Sequence, residues 1–538
     1  MKKNYFLLLL GSIICAFGQP AWVPFLGYFA ATIGLALCWY AIKNIAKNKK
    51  QIFYLSFLFF AILQAVQLSW MTSTKYQTNY ILIIYGSILV STALEFALLT
   101  LFVTSQKSKN IFTAAAAASI WTIFEWIRLW PLCGYSWNPL GLYLTNNHYS
   151  LQLASLGGVY LLSFFVILIN TITYQALINK DVKKLPFICF LSLVPFAFGF
   201  IHQSINNTHS KILKAALVQT ALTPEERTPM PEYDIRKFIP PHEQWQKIFS
   251  LLSTELKNKQ VDLIVLPESA VPLQYNQEFF PLNYALTTLD TFFPPIVTID
   301  NKTIDNAKNH KIYPTKNVVS NNFFAQSIAN YFQADVIIGM DKENYNAALV
   351  YHPNTIKIES YEKRVLLPIV EYFPFSWVKN LAAKFGITGA YTHGSTNKIF
   401  AGKIANFSIS ICYEETFGHL LHDNRNIGAQ LLVNISNDAW FPNSKLPKQH
   451  FDLGKIRTVE NGLPLIRACN TGITAGINAF GETISILDKK ENQNGLLLLN
   501  VPLASYPTLY SLLGDYLILS VSGLFILLFL FSRKHRKN

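Results

Sequence analysis

The chain has 538 residues, with 45 Lys and Arg against 31 Asp and Glu, a formal charge of +14. Charged residues make up 14% and hydrophobic ones 51%, where a soluble domain carries about 25% charged residues. Those proportions exclude a disordered chain and an ordinary soluble protein, and place much of the chain in lipid. The basic excess taken alone points to nucleic acid or an anionic surface, so its distribution along the chain has to decide. Six cysteines, at Cys15, Cys38, Cys133, Cys189, Cys412 and Cys469, show neither CxxC spacing nor a dense framework. They indicate no zinc site and no disulfide scaffold.

A spanning helix needs about 20 mainly apolar residues, because lipid offers no partner to bare backbone groups. Such stretches occur at about 4–18, 22–42, 52–72, 80–104, 111–130, 151–177 and 185–203, with an eighth at 508–532. The first follows Lys2 and Lys3 like a signal peptide, but the spans after it favour an uncleaved first helix. Alternate connections differ sharply in basic residues. One set holds Lys2 and Lys3; Lys43, Lys47, Lys49 and Lys50; Lys107 and Lys109; Lys180, Lys183 and Lys184; and Arg533, Lys534, Arg536 and Lys537. The other holds little beyond Lys75, with Arg128 at a helix end. Positive residues stay on the cytoplasmic side, so both termini are expected there and residues 204–507 outside. The cytoplasmic set contains fifteen Lys and Arg and one acid, Asp181, which accounts for the whole excess.

Between the seventh and eighth spans the apolar runs shorten to strand length: 212–218, 262–266, 335–340, 405–411, 430–435 and 464–468. Helical stretches at 243–257 and 447–461 lie between some of them, and short buried strands alternating with helices read as an α/β domain with covered sheets. The expected division is 1–203, 204–507 and 508–538. Residues 279–332 read as a long polar insertion.

Three strand ends each present a reactive group. DLIVLPESAVP runs into Glu268, YEKRVLLPIVEYFPF carries Lys363 and Glu371, and FSISICYEETF ends its strand at Cys412, followed by Tyr413 and Glu414. Singly, each has an ordinary reading: a cysteine ending an apolar strand packs as a small hydrophobe, and the acids and the lysine read as solvated turns. Together they resemble the Glu-Lys-Cys set of the nitrilase superfamily. With seven spans before and one after, and with SNDAWF at 436–441 and FEWIR at 124–128, the chain is similar to the apolipoprotein N-acyltransferase family along essentially its whole length. The resemblance implies eight membrane helices carrying a periplasmic αββα sandwich in a bacterial inner membrane.

It also implies site residues. Glu268, Lys363 and Cys412 take the triad positions as proton acceptor, oxyanion stabiliser and nucleophile, and Glu371, Tyr413 and Glu414 take supporting ones. Glu371 would orient Lys363 or bind the incoming amine, with Tyr413 and Glu414 forming the wall beside the thiol. The family has a tryptophan upstream of the triad glutamate; an ungapped reading puts Phe238 there, with Trp245 displaced nearby. The implied reaction takes the sn-1 acyl chain of a phospholipid, typically phosphatidylethanolamine, onto Cys412. It then passes that chain to the α-amino group of a diacylglyceryl-cysteine lipoprotein.

Other residues read directly from the sequence. Tyr372, Phe373, Phe375 and Trp377, followed by VKNLAAKFGI, suit the headgroup zone or ordinary packing. Glu95, Glu125 and Arg128 lie in or at the ends of spans, where ionisable groups are costly; Glu125 and Arg128, three apart, are expected to pair, with a lipid headgroup contact as the alternative. Cys133, in an outer loop, reads as structural. No Gly-rich phosphate loop or metal-ligand cluster is present, so neither nucleotide, nucleic acid nor metal is expected. The rival readings are a membrane-tethered nitrilase-type amide hydrolase, and a transporter or receptor whose outer domain only binds a ligand.

Overall fold

A helix satisfies its own backbone groups whatever surrounds it, and the apolar stretches are helical in the computed structural model. It describes residues 2–77, 79–106, 110–206, 210–229, 234–294, 317–383, 391–490 and 492–534. Lys107, Lys109, Arg536 and Lys537 of the basic set lie outside these. Helices run over Lys2–Phe17, Pro24–Ile45, Lys49–Gln67, Tyr80–Ser105, Ile111–Ile127, Ala154–Asn179 and Leu185–Asn206. Five of the described helices are long and apolar enough to cross a membrane: Pro24–Ile45, Lys49–Gln67, Tyr80–Ser105, Ala154–Asn179 and Val182–Asn206. Ile111–Ile127 and Tyr516–Ser532 are apolar but shorter. The expected stretch at 508–532 is broken: Gly514, at φ +55°, ends a separate turn at Leu509–Leu513, and the long helix begins at Tyr516.

Small residues set a close helix contact in the bundle. A Cβ at Gly11 would lie 2.6 Å from Cys38 Sγ, and one at Gly34 2.6 Å from Cys15 Sγ. Glycine facing cysteine lets the first two helices approach closely, as small residues do where helices pack in lipid.

The strands form two six-stranded sheets. The first runs in the order Gly495–Pro502, Ile212–Gln219, Leu263–Val265, Asp335–Lys342, Tyr345–Tyr351, Ile358–Glu362. The second runs Thr483–Ile486, Ala475–Ile477, Leu465–Cys469, Leu431–Ser436, Asn406–Ile411, Ile399–Ala401. Each has a parallel centre flanked by antiparallel strands. Because side chains alternate along a strand, each sheet has two apolar faces. Ala215, Leu217, Ile409 and Val433 meet in the layer between the sheets. Ala216 and Val218 face the other way, against Ile248, Phe249 and Leu252 of the helix Pro241–Glu255. The result is helix, sheet, sheet, helix.

The helix Leu446–Asn461 covers the second sheet and is buried on both sides, because its other side meets the bundle. Phe451, Ile456 and Val459 share one apolar cluster with Leu162 and Val166. Polar anchors hold the contact: Trp70 Nε1 donates to Gln449 Oε1 (2.9 Å) and Val159 N to Glu460 Oε1 (2.9 Å).

The expected polar insertion at 279–332 is corrected at both ends, while its centre, 295–316, lies outside the described residues. Leu282–Phe292 and Asn321–Phe332 are helices, and their Leu289 and Phe324 enter the core outside the first sheet. Their apolar residues recur at helical spacing, so burial outweighs the polar positions between them.

Candidate active site

The segments carrying Glu268, Lys363 and Cys412 follow three strands and line one cavity. The Glu268 segment lies flat along the strand Asp335–Lys342. Gly339 N donates to Pro267 O (3.1 Å) and Ala270 N to Gly339 O (2.9 Å). A Cβ at Gly339 would come within 2.6 Å of Glu268 Cα, so glycine is what permits this approach.

Lys363 directly follows the strand Ile358–Glu362. Its Nζ lies 2.9 Å from Glu371 Oε1 and 3.3 Å from Glu268 Oε1. Asn346 completes the group, donating from Nδ2 to Glu268 Oε1 (2.8 Å) and Glu371 Oε1 (3.0 Å). Leu367 N donates to the other Glu371 oxygen at 2.8 Å. Glu268 Oε2 has no hydrogen-bond partner among the described residues. All four side chains are buried, as a charged group away from water requires.

Cys412 ends the strand Asn406–Ile411 at φ +54°, a left-handed conformation that costs a non-glycine residue free energy and is held only by its surroundings. Its carbonyl accepts from Asn434 Nδ2 (3.3 Å) and meets His450 Nε2 (3.1 Å). His450 is fixed in turn by Asp438 (3.1 Å) and Glu415 (3.4 Å), and Glu415 pairs with Arg467 (3.3 Å). This buried set beneath the thiol segment, and Asn346, were not singled out by the sequence. The SNDAWF motif contains Asp438; Asn346 carries no local signal, and only its place opposite Lys363 across the strand pair brings it in.

Charge follows from this geometry. Burial disfavours the Lys363 ammonium, but Glu268 and Glu371 more than reverse that and hold its pKa well above the ordinary lysine value. Burial pushes the Cys412 thiol well up, the Glu268 charge adds to this, and Lys363 opposes it. The resting group is therefore a thiol beside a carboxylate and an ammonium.

The supporting residues divide. Glu371 lies in the site. Tyr413 lines the cavity, but its hydroxyl donates to Gly134 O (3.0 Å) and its ring stacks on Trp137 at 5.8 Å, so it also docks the thiol segment on the bundle. Glu414 is corrected: it does not line the cavity. It accepts from Arg364 N (2.6 Å), Val365 N (3.1 Å), Ile411 N (2.8 Å) and Tyr361 Oη (2.9 Å), tying the Lys363 segment to the Cys412 strand. Burial raises its pKa against those donors. Neither upstream aromatic lines the cavity. Trp245 stacks on Phe249 within the outer core and donates to Asn321 Oδ1 (2.8 Å); Phe238 is half-buried after the turn Ile235–Lys237.

The cavity measures about 1630 Å³. Ile83, Ile84 and Ile88 of the bundle helix Tyr80–Ser105 give the same cavity an apolar wall. Phe375 and Trp377, stacked on each other at 6.1 Å and exposed, stand on its edge; residues 384–387 of the following stretch lie outside the described residues. Cys133 also lines it, free and half-buried, with its thiol pushed up to about 11 by burial. The expected Glu125–Arg128 pair is corrected. Arg128 Nε bonds Glu95 Oε2 at 2.7 Å across helices, while Glu125 Oε1 accepts from Trp121 Nε1 (2.7 Å) and Leu140 N (2.9 Å).

Comparison with known proteins agrees with this architecture. The carbon-nitrogen hydrolase family matches residues 214–506, and the apolipoprotein N-acyltransferase N-terminal domain matches residues 15–172. The apolipoprotein N-acyltransferases of Chlamydia pneumoniae and Chlamydia caviae are each 29% identical, over 95% and 96% of this chain and 94% and 95% of theirs. That of Rickettsia typhi is 28% identical over 74% of this chain and 72% of its own. With the larger match spanning more than half of its residues, the chain belongs to the carbon-nitrogen hydrolase family and carries, ahead of that domain, the N-terminal domain of apolipoprotein N-acyltransferases.

Proposed function

We propose that this protein moves the sn-1 acyl chain of a phospholipid, typically phosphatidylethanolamine, to the α-amino group of a diacylglyceryl-cysteine apolipoprotein, through a thioester on Cys412. The observation that carries this reading is the shared cavity: Cys412, Glu268 and Lys363 line it together with apolar residues of a helix long enough to span a membrane. An amide hydrolase acting on a soluble substrate has no use for such a wall.

Glu268, through its unpartnered oxygen, takes the Cys412 proton as sulfur attacks the ester carbonyl carbon. The carbonyl electrons move to oxygen, where the Lys363 ammonium meets the developing negative charge; one well-placed donor is worth about 3 to 4 kcal/mol. Collapse breaks the bond to the glycerol oxygen, which receives the proton from Glu268 and leaves as lysophospholipid. The neutral α-amine then attacks the thioester carbonyl and loses its proton to Glu268, and the sulfur departs and is reprotonated. Glu371 and Asn346 hold the lysine and the base in register.

The distribution of basic residues supports eight spans, both termini in the cytoplasm and residues 204–507 on the periplasmic face of a bacterial inner membrane. On this reading residues 1–203 form the bundle, 204–507 the catalytic domain, and 508–538 the last span and tail. Mass spectrometry of a lipoprotein N-terminus from cells with and without the protein tests the reaction. A third acyl chain that disappears only in its absence supports the transferase. An unchanged N-terminus, with free acid or amine as the enzyme's product, supports the amide hydrolase instead.

A further inference from the structure

A cation in the wall of a largely apolar cavity is costly unless an anion answers it. Four Lys and Arg side chains line this one: Lys75, Arg128, Arg227 and Lys363. Three are answered from within the protein. Lys75 lies 3.8 Å from Glu225, Arg128 is held by Glu95, and Lys363 sits between Glu268 and Glu371. Arg227, half-buried, has no carboxylate within ion-pair distance among the described residues. Among the described residues its side chain makes one hydrogen bond, from Nη1 to Ser269 O at 3.2 Å. Asp341 is close enough for the two charges to interact, yet its Oδ1 is taken by the Tyr391 hydroxyl at 2.9 Å.

The position of Arg227 is fixed. It ends the short helix Pro224–Arg227, whose start is closed by a reciprocal bond between Thr223 and Glu226, and its carbonyl accepts from Gln244 Nε2 at 3.2 Å. Its contact with Ser269 anchors the guanidinium one residue from Glu268.

We propose that Arg227 binds the phosphodiester of the acyl donor and so selects a glycerophospholipid over a neutral diacylglycerol. This rests on the donor class given above. A phosphodiester offers two unesterified oxygens sharing one charge, the geometry that a guanidinium fork meets with paired hydrogen bonds. The phosphate and the sn-1 ester hang from opposite ends of one glycerol. A cation anchored beside Glu268 therefore sets which ester is presented to Cys412.

Ether lipids separate binding from chemistry, because they cannot acylate the thiol. Affinities of the full-length protein in detergent micelles for a dialkyl glycerophosphoethanolamine and for the matching dialkylglycerol are compared by tryptophan fluorescence. Wild type is expected to favour the phospholipid by about tenfold or more, Arg227→Gln to bring the ratio close to one, and Arg227→Lys to keep only part of the preference, since an ammonium retains the charge but not the fork. Equal affinities in wild type, or a preference that survives Arg227→Gln, overturn the assignment. A preference lost in Arg227→Gln, in a protein whose wild type forms no thioester from ester phospholipid, upholds Arg227 as the phosphodiester site and removes the transferase reading alone.

Discussion

The ammonium of Lys363 lies closer to Glu371, at 2.9 Å, than to Glu268, at 3.3 Å. Both carboxylates answer the lysine charge, and Glu268 keeps an oxygen without a hydrogen-bond partner among the described residues. Two carboxylates around one lysine also explain how so buried an ammonium stays charged.

Glu371→Gln should leave Lys363 to pair with Glu268 alone, drawing the base into a tighter ion pair and lowering its basicity. Single-turnover thioester formation is expected to slow on the order of 10- to 100-fold, with phospholipid affinity little changed. A proportional loss of affinity with an unchanged rate would place Glu371 in binding instead.

The thiol of Cys412 is raised by burial and by Glu268, and lowered by Lys363. Its alkylation by iodoacetamide, followed by peptide mass spectrometry, should still be climbing above pH 9, where an ordinary thiol is largely ionised. Lys363→Met removes the lowering influence, so the rise should move to higher pH. Thioester formation should fall about 10²- to 10³-fold in the same variant, and Cys412→Ser should form no thioester. An alkylation profile that does not move on loss of Lys363 contradicts this account of the charge.

Arg128→Met leaves Glu95 without its partner within the cavity wall, a change worth roughly 3 to 5 kcal/mol when a buried pair is broken from one side. Folded yield in detergent is expected to drop sharply, and the double variant Glu95→Gln, Arg128→Met to recover much of it. Equal yields for the single and double variants would show that the pair is not a structural unit.

Glu460, where the catalytic domain meets the bundle, has its pKa raised to about 7 by burial, against Arg457 and the Val159 N–H. A carboxyl that holds its proton more tightly in the folded than in the unfolded protein adds stability in full below its unfolded pKa. That contribution is lost as pH rises through the folded value. Thermal unfolding in detergent should therefore fall between pH 5 and pH 8, by an amount corresponding to about 3 kcal/mol, and Glu460→Gln should flatten that slope. An equal slope in the variant would assign the dependence to other groups.

What could be read from the sequence follows the range of the interaction behind it. The apolar stretches were legible because a helix closes its hydrogen bonds within itself, so composition over twenty residues decides it. Glu268, Lys363 and Cys412 were legible because each sits in a local strand-end motif. The half-buried edge strand Ile358–Glu362 was not, since its IESYE pattern carries two acids and no apolar alternation, and only pairing with Tyr345–Tyr351 makes it a strand.

The sequence by itself determined that this chain is built for a membrane, how its charge is divided among its connections, and which three strand-end groups belong together. Only the tertiary structure decided who meets whom. Asn346 bridges two carboxylates, Arg128 takes Glu95 over its neighbour Glu125, Glu414 ties two segments instead of facing the thiol, and Arg227 has no carboxylate within ion-pair distance among the described residues. Apart from the local bond from Ile411 to Glu414, these contacts join positions 25 to 78 residues apart along the chain. Their energies depend on distance and burial, which spacing along a sequence does not record.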